Sequence, residues 1–351
     1  MPAIFNSIMN EKTRLLSVLQ GISADRAPFI CPGGMMNMAV TELMDDAHSC
    51  WPEAHSDPEK MARLTLAAHR LGGVENTGVP FCMTVEAEAM GSQVYLGTRG
   101  TEPRVTEYAI GRLDEFDRLR PIDPGMGRAK VCVDAIRILK KEAPQTPVIA
   151  NLTGPVSLAS SLIDPLVFYK GLISDKQNVH NLMRTVNENL IRFGDALVEA
   201  GADVICIADP SASGEILGKK AFAEFALPYI NSIAVYFRGK HGLPSIVHIC
   251  GDVRCLGALL SEIAAESISV DAMVSIKTLR ELAPNKISMG NVSTYLLEKG
   301  APDDITKNGE RCLRAGAGIL APACGISPKT PVANVVGLSR AVFEHPKVGS
   351  K

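Results

Sequence analysis

No stretch of this sequence approaches the roughly 20 consecutive apolar residues that a membrane-spanning helix needs. Its opening residues, MPAIFNSIMNEKTRLL, lack the long apolar core of a secretory leader. The formal net charge is only −2, so no broad positive field exists to draw in nucleic acid or an anionic membrane. These absences predict a cytoplasmic protein with neither of those partners. Internal repeats and low-complexity tracts are missing too. So are a P-loop and a dinucleotide-binding glycine fingerprint, and the pair Gly33-Gly34 is too short to make a phosphate cradle. A disulfide framework is also absent. The nine cysteines are an odd number scattered through apolar contexts, which reads as free or metal-bound thiols in a reducing compartment. Cys132, Cys206 and Cys312 lie in helix-like or strand-like runs and read as small core hydrophobes.

What is present is a globular composition, 46% hydrophobic and 21% charged over 351 residues. Short apolar runs at 28–31, 74–81, 147–152, 203–208, 245–247, 268–270, 286–289 and 318–321 alternate with amphipathic stretches. The latter include 58–71, 127–142, 175–200, 222–238 and 302–315. Gly201, Gly242 and Gly316 stand just past helical patterns, where a left-handed residue ends a helix. Non-alternating strands between helices argue for a parallel sheet covered on both faces. Eight such units predict an α/β fold, a single (β/α)8 TIM barrel spanning 1–351, with an open doubly wound sheet as the alternative. An N-terminal helical extension precedes the barrel. The polar stretch 84–123 predicts a hairpin-bearing insertion, and 32–57 another excursion.

Barrel chemistry gathers at the C-terminal ends of the strands, and there the sequence carries a constellation. His248-Ile249-Cys250 follows the fifth run and Cys324 follows the eighth. Side chains alternate along an extended segment, so His248 and Cys250 point the same way and can meet one ion. One imidazole and two thiolates suit zinc with a fourth position left for water or substrate. A thiol entering that position becomes a thiolate at neutral pH, and the natural reaction is attack by sulfur on an activated methyl group. The plain alternative is a packed core histidine beside buried thiols.

Other strand ends supply candidates of lesser weight. Asp209 reads as a catalytic residue that orients substrate or the His248 ring, or else as the N-cap of the next helix. Asp271 is a similar catalytic candidate. Asn151, Met35 and Met83 are candidate cofactor-binding residues, Met35 and Met83 within a methionine-rich group with Met36, Met38 and Met90 that suits a flat, partly apolar ligand. Glu86 reads as structural, or as a metal ligand in a resting state. A second H-x-C, His48-Ser49-Cys50, sits in a polar excursion with no strand to present it, and Trp51 and His55 are better placed in the substrate pocket.

Several segments carry a family resemblance. They are Leu19-Gln20-Gly21, Asp25-Arg26-Ala27-Pro28, Trp51-Pro52-Glu53-Ala54-His55, the run from Val79 to Gly91 (VPFCMTVEAEAMG), Ile207-Ala208-Asp209-Pro210, and the H-x-C…C set. Together they resemble the methylcobamide:coenzyme M methyltransferases of the uroporphyrinogen decarboxylase superfamily. The resemblance implies zinc at His248, Cys250 and Cys324. It also implies a methylcobamide donor on a separate corrinoid protein and a small thiol acceptor, coenzyme M first. Displacement at carbon needs sulfur, carbon and cobalt in line, so the corrinoid must cap the barrel mouth. Asp46-Ala47-His48-Ser49-Cys50-Trp51 departs from a D-x-H-x-x-G corrinoid signature by lacking its glycine. Three other readings stay open: a demethylating relative with another acceptor, a non-catalytic corrinoid- or thiol-binding protein, and a decarboxylase. The decarboxylase branch holds its porphyrinogen carboxylates with arginines after the first strand, and residues 28–38 contain no arginine or lysine.

Overall fold

The computed structural model describes residues 9–344, so the first eight residues of the stretch read for a leader lie outside it. Eight strands form in chain order: β1 (Thr77–Val79), β2 (Gln93–Tyr95), β3 (Arg104–Glu107), β4 (Val148–Thr153), β5 (Val204–Ala208), β6 (Ser245–Ile249), β7 (Ser267–Val270) and β8 (Ile287–Met289). Six of them make one parallel sheet in the order β1-β4-β5-β6-β7-β8, and β2 pairs with β3 as an antiparallel hairpin. Every residue of β4, β5, β6 and β7 is buried. Helices or the barrel interior cover both faces, which is why β5 (VICIA) reads as a continuous apolar run, while β7 (SISV) carries its serines on one buried face. β1 and β8 are only three residues long, too short for local propensity to hold. Fully buried Val79 and Met289 anchor them, at roughly 1.5–3 kcal/mol per large side chain.

The crossover helices match the expected stretches with small shifts: Pro58–Gly72, Gly127–Glu142, Lys176–Ala200 and Pro302–Arg314. The stretch at 222–238 is corrected. Its first five residues, Phe222–Ala226, wind as a π-turn, and the α-helix proper is Leu227–His241. Between β6 and β7 the crossover is a 3-10 segment, Arg254–Glu262, broken at Gly257. The insertion predicted at 84–123 holds the β2–β3 hairpin, preceded by a short helix, Val85–Met90. The predicted N-terminal helix is Glu11–Leu19, capped by the Asn10 side chain on the Thr13 N–H.

The runs 28–31 and 318–321 differ from expectation. They are single parallel bridges rather than ladder strands, Phe29 with Leu320 and Ile319 with Met289. They still span the gap between β8 and β1. Ile30 N–H donates to Leu320 O (3.0 Å), Leu320 N–H to Pro28 O (2.9 Å), and Glu75 N–H to Phe29 O (2.8 Å). Two features keep 28–31 from forming a regular ladder. Pro28 has no N–H to give, and the Asn76 side chain replaces a backbone partner. Its Oδ1 accepts from Cys31 N–H (2.8 Å) while its Nδ2 donates to Cys31 O (3.0 Å).

Beneath this seam a buried ion network ties the first helix to the barrel. Arg14, 3% exposed, donates to Glu75 (2.7 Å) and Asp25 (2.7 Å), and Arg26 donates to both oxygens of Glu75. Glu75 Oε2 also accepts from Phe29 N–H (2.9 Å).

Candidate metal centre

β6 runs two residues further than the sequence predicted, so His248 lies inside the strand and is fully buried. In the ladder it stands opposite Ala208 of β5 and Ser269 of β7. His248 Nδ1 is 3.0 Å from Ser269 Oγ, and that hydroxyl donates its own proton to Met36 Sδ at 3.5 Å. Ser269 therefore accepts from Nδ1–H. This leaves the Nε2 lone pair facing Cys250 Sγ at 3.2 Å. Cys250 sits just beyond the end of β6, on the same side as His248, as the alternation of an extended segment requires. Cys324 follows the Val292–Pro322 bridge and places its Sγ 3.0 Å from that of Cys250. Gly325 permits this arrangement, because a Cβ there would fall 2.3 Å from Met35 O.

The three donor atoms all lie within 4.8 Å of one another, and theirs is the one such group among the described residues. Both cysteines are free and half-buried. They share a hydrogen bond of unequal effect. The bond from Cys250, helped by His248, lowers Cys324 toward the thiolate. The same bond, followed by burial and the charge of Asp271, raises Cys250. One imidazole nitrogen and two sulfurs, one already biased to the thiolate, form a donor set able to hold a single metal ion.

Asp209 does not orient the imidazole, since Ser269 occupies that position. Its carboxylate accepts from Val156 N–H (3.0 Å), Ser157 N–H (2.9 Å) and the Ser157 hydroxyl (2.7 Å). It thus caps the helix Pro155–Leu162, which precedes it in the chain, rather than the helix that follows. Gly154 allows the approach, because a Cβ there would meet the Asp209 Cβ at 2.1 Å. Complete burial raises the Asp209 carboxyl to about 6 against the pull of these donors. Asp271 lies close enough to Cys250 for its charge to act on that thiol, and its Oδ1 accepts from Met273 N–H (3.0 Å).

Of the two readings of Glu86, the structural one describes it here. Both its oxygens are held by Thr153, from the N–H (2.8 Å) and the hydroxyl (3.0 Å), and it stands outside the donor cluster. Asn151 clamps backbone, donating to Pro32 O (2.7 Å), while its buried Oδ1 has no partner. Met36, Met38 and Met90 are buried, whereas Met35 and Met83 are half-buried and keep a face free for a ligand. Trp51 and His55 do not line an open pocket. They are buried with Phe81 in an aromatic cluster, the Trp51 and His55 rings 4.9 Å apart. His48-Ser49-Cys50 assembles no donor group. Cys132 and Cys206 are buried core thiols, and burial pushes Cys206 up to about 12. Cys312 is half-buried.

Three groups escaped the sequence reading. Ser269 gave no signal beyond being a polar residue in an apolar strand. Arg128, 7% exposed, donates to Cys82 Sγ (2.8 Å), Thr84 Oγ1 (3.1 Å) and Glu88 (3.2 Å). This arginine, on the first turn of Gly127–Glu142, keeps Cys82 out of the donor cluster. Glu102, in the loop joining β2 to β3, is exposed. Desolvation by the protein around it, then Cys82 and Cys324, raises its carboxyl to about 7.

The chain matches the uroporphyrinogen decarboxylase (URO-D) family over residues 10–345. It is 33% identical to the methylcobamide:CoM methyltransferase MtaA of Methanosarcina barkeri, over 95% of this chain and 98% of that one. It is also 33% identical to the methylcobamide:CoM methyltransferase MtbA of Methanosarcina acetivorans, over 92% and 95%. A solved methyltransferase from Methanosarcina mazei superposes with a TM-score of 0.89 at 33% identity, covering 96% of this chain and 99% of that one. The strand order, the helical layer and these likenesses make the fold the expected TIM barrel. The chain belongs to the methylcobamide:CoM methyltransferase branch of the uroporphyrinogen decarboxylase family.

Proposed function

We propose that this single-domain chain is a zinc-dependent cytoplasmic enzyme that moves a methyl group from a methylcobamide, carried by a separate corrinoid protein, to the sulfur of a small thiol, coenzyme M. The observation that carries the reading is the three-donor set of His248, Cys250 and Cys324 at the C-terminal edge of the parallel sheet. Sulfur-rich donors with one imidazole favour zinc, and three protein ligands leave a fourth position. When bound, zinc would supply the positive charge that keeps an acceptor thiol deprotonated at neutral pH. The acceptor and donor follow from the relatives named methylcobamide:CoM methyltransferases.

The remaining steps fall to the chain. Ser269 holds the His248 ring in the tautomer that directs Nε2 to the site. Asp271 is the polar group beside Cys250 that faces the acceptor. Asp209 fixes the start of Pro155–Leu162, and with it the end of β4. Met35 and Met83 offer an apolar wall to the corrinoid, and the buried Asn151, expected to bind the cofactor, instead holds the Pro32 backbone behind it. The acceptor sulfur forms the S–C bond with its own electron pair. The Co–C bond breaks and its pair stays on cobalt. A decarboxylase would need cations where residues 28–38 have none.

Metal analysis with a methylcobalamin assay over a panel of thiols tests this. The purified chain is expected to hold about one zinc and to demethylate methylcobalamin with coenzyme M. His248→Ala and Cys324→Ala should lose metal and activity together. Full activity in metal-free protein, or carbon dioxide release from a porphyrinogen without methyl transfer, would overturn it.

A further inference from the structure

A cavity of about 560 Å³ opens at the end of the barrel opposite the metal centre. Parallel strands start on one edge and finish on the other. The cavity is floored by Ile287 and Ser288 at the start of β8, whereas the cysteines gather where the strands finish. It is therefore remote from the metal centre. Part of its wall is apolar, with Val18, Ile22, Leu313 and Val342. Its charged lining is Arg26, Arg280 and Lys286, with no carboxylate among the described lining residues.

The three cations are not equivalent. Arg26 is committed to Glu75 through both arms of its guanidinium. Arg280 and Lys286 form no ion pair among the described residues. Their polar contacts are backbone carbonyls, Ala315 O at 3.3 Å and Ala265 O at 3.2 Å. Burial depresses the Lys286 ammonium, the charge of Glu266 opposes this, and that of Arg238 adds to it. The buried Ser288 hydroxyl has no partner either. A cavity of this size, apolar on one side and holding a few convergent polar groups, has the form of a small-molecule site.

We propose that this cavity binds a small organic anion, a sulfonate, phosphate or carboxylate on an apolar body. Arg280 and Lys286 hold the anionic group, and Ile22, Leu313 and Val342 pack against the body. The site is separate from methyl transfer and does not rest on that reading.

The probe is 8-anilinonaphthalene-1-sulfonate, titrated into the full chain and followed by fluorescence and calorimetry. Saturable binding of one molecule is expected, undisturbed by methylcobalamin. The double variant Arg280→Glu, Lys286→Glu should weaken it roughly tenfold or more. Ile22→Glu, at a position 56% exposed and therefore tolerant of a charge, should do the same. Uncharged N-phenyl-1-naphthylamine should bind more weakly than the sulfonate. Absence of saturable binding, equal binding by wild type and both variants, or displacement by methylcobalamin would each overturn the proposal.

Discussion

His248 and Ser269 are register partners on neighbouring parallel strands, and the imidazole Nδ1 lies 3.0 Å from the serine hydroxyl. Strand pairing thus does the work of aiming a metal ligand. The hydroxyl donates its hydrogen bond to Met36 Sδ, so only one ring tautomer fits.

Ser269→Ala should therefore leave the fold intact and weaken zinc binding by about 10- to 100-fold, the usual effect of losing such an outer hydrogen bond. Chelator competition measures it, and Ser269→Thr should restore most of the affinity. Wild-type affinity in the alanine variant would show that packing alone holds the ring.

Asp209 makes stability depend on pH in a definite direction. Its carboxyl is raised to about 6 in the folded chain, from 3.8 when unperturbed. The folded state then holds the proton more tightly than the unfolded state, so stability falls as pH rises from about 4 to about 6 and levels off above. The whole effect is at most about 3 kcal/mol. Asp209→Asn keeps one acceptor oxygen, enough for the Ser157 N–H and hydroxyl but not also for Val156 N–H, and it does not titrate. Urea unfolding at several pH values should show wild type losing stability relative to this variant across that window. A pH-independent difference would contradict the assignment.

Glu75 neutralises two arginines, one of them 3% exposed. Glu75→Ala leaves the buried Arg14 with Asp25 as its remaining anion and the Phe29 N–H without its acceptor, a loss of roughly 3–5 kcal/mol. Chemical denaturation should register it as a lowered midpoint at unchanged slope. A change under 1 kcal/mol would mean that water relieves Arg14 more readily than its burial implies.

Asn76→Ala removes both partners of the Cys31 peptide group and should cost about 1–3 kcal/mol. Amide exchange at Cys31 should quicken well beyond the global change. Protection equal to wild type would mean that the seam between 28–31 and β1 is held by side-chain packing instead.

Legibility in the sequence followed the physics of each element. β4, β5 and β7 lie within a residue of their expected bounds, and in β5 burial on both faces leaves an unbroken apolar run. The runs 28–31 and 318–321 were placed correctly as barrel segments but not as bridges. The substitution of an Asn76 side chain for a backbone partner leaves no mark in local patterning. His248, Cys250 and Cys324 were legible from donor chemistry and from their position at strand ends. Ser269 was not, since register across a ladder decides which serine meets which histidine. Asp209 was recognised as a capping type, yet it caps a helix behind it.

The sequence by itself determined the alternation of strand and helix, the donor types and the side of the strand on which His248 and Cys250 lie. These depend on neighbours a few residues apart, where backbone periodicity governs direction. Only the tertiary structure decided that Cys324 closes on Cys250 and that Ser269 rather than Asp209 holds the ring. It also decided that Arg128 engages Cys82, and that two cations without an ion pair among the described residues face a cavity at the far end. Those outcomes join residues tens to hundreds of positions apart, and the packing of whole strands and helices sets them.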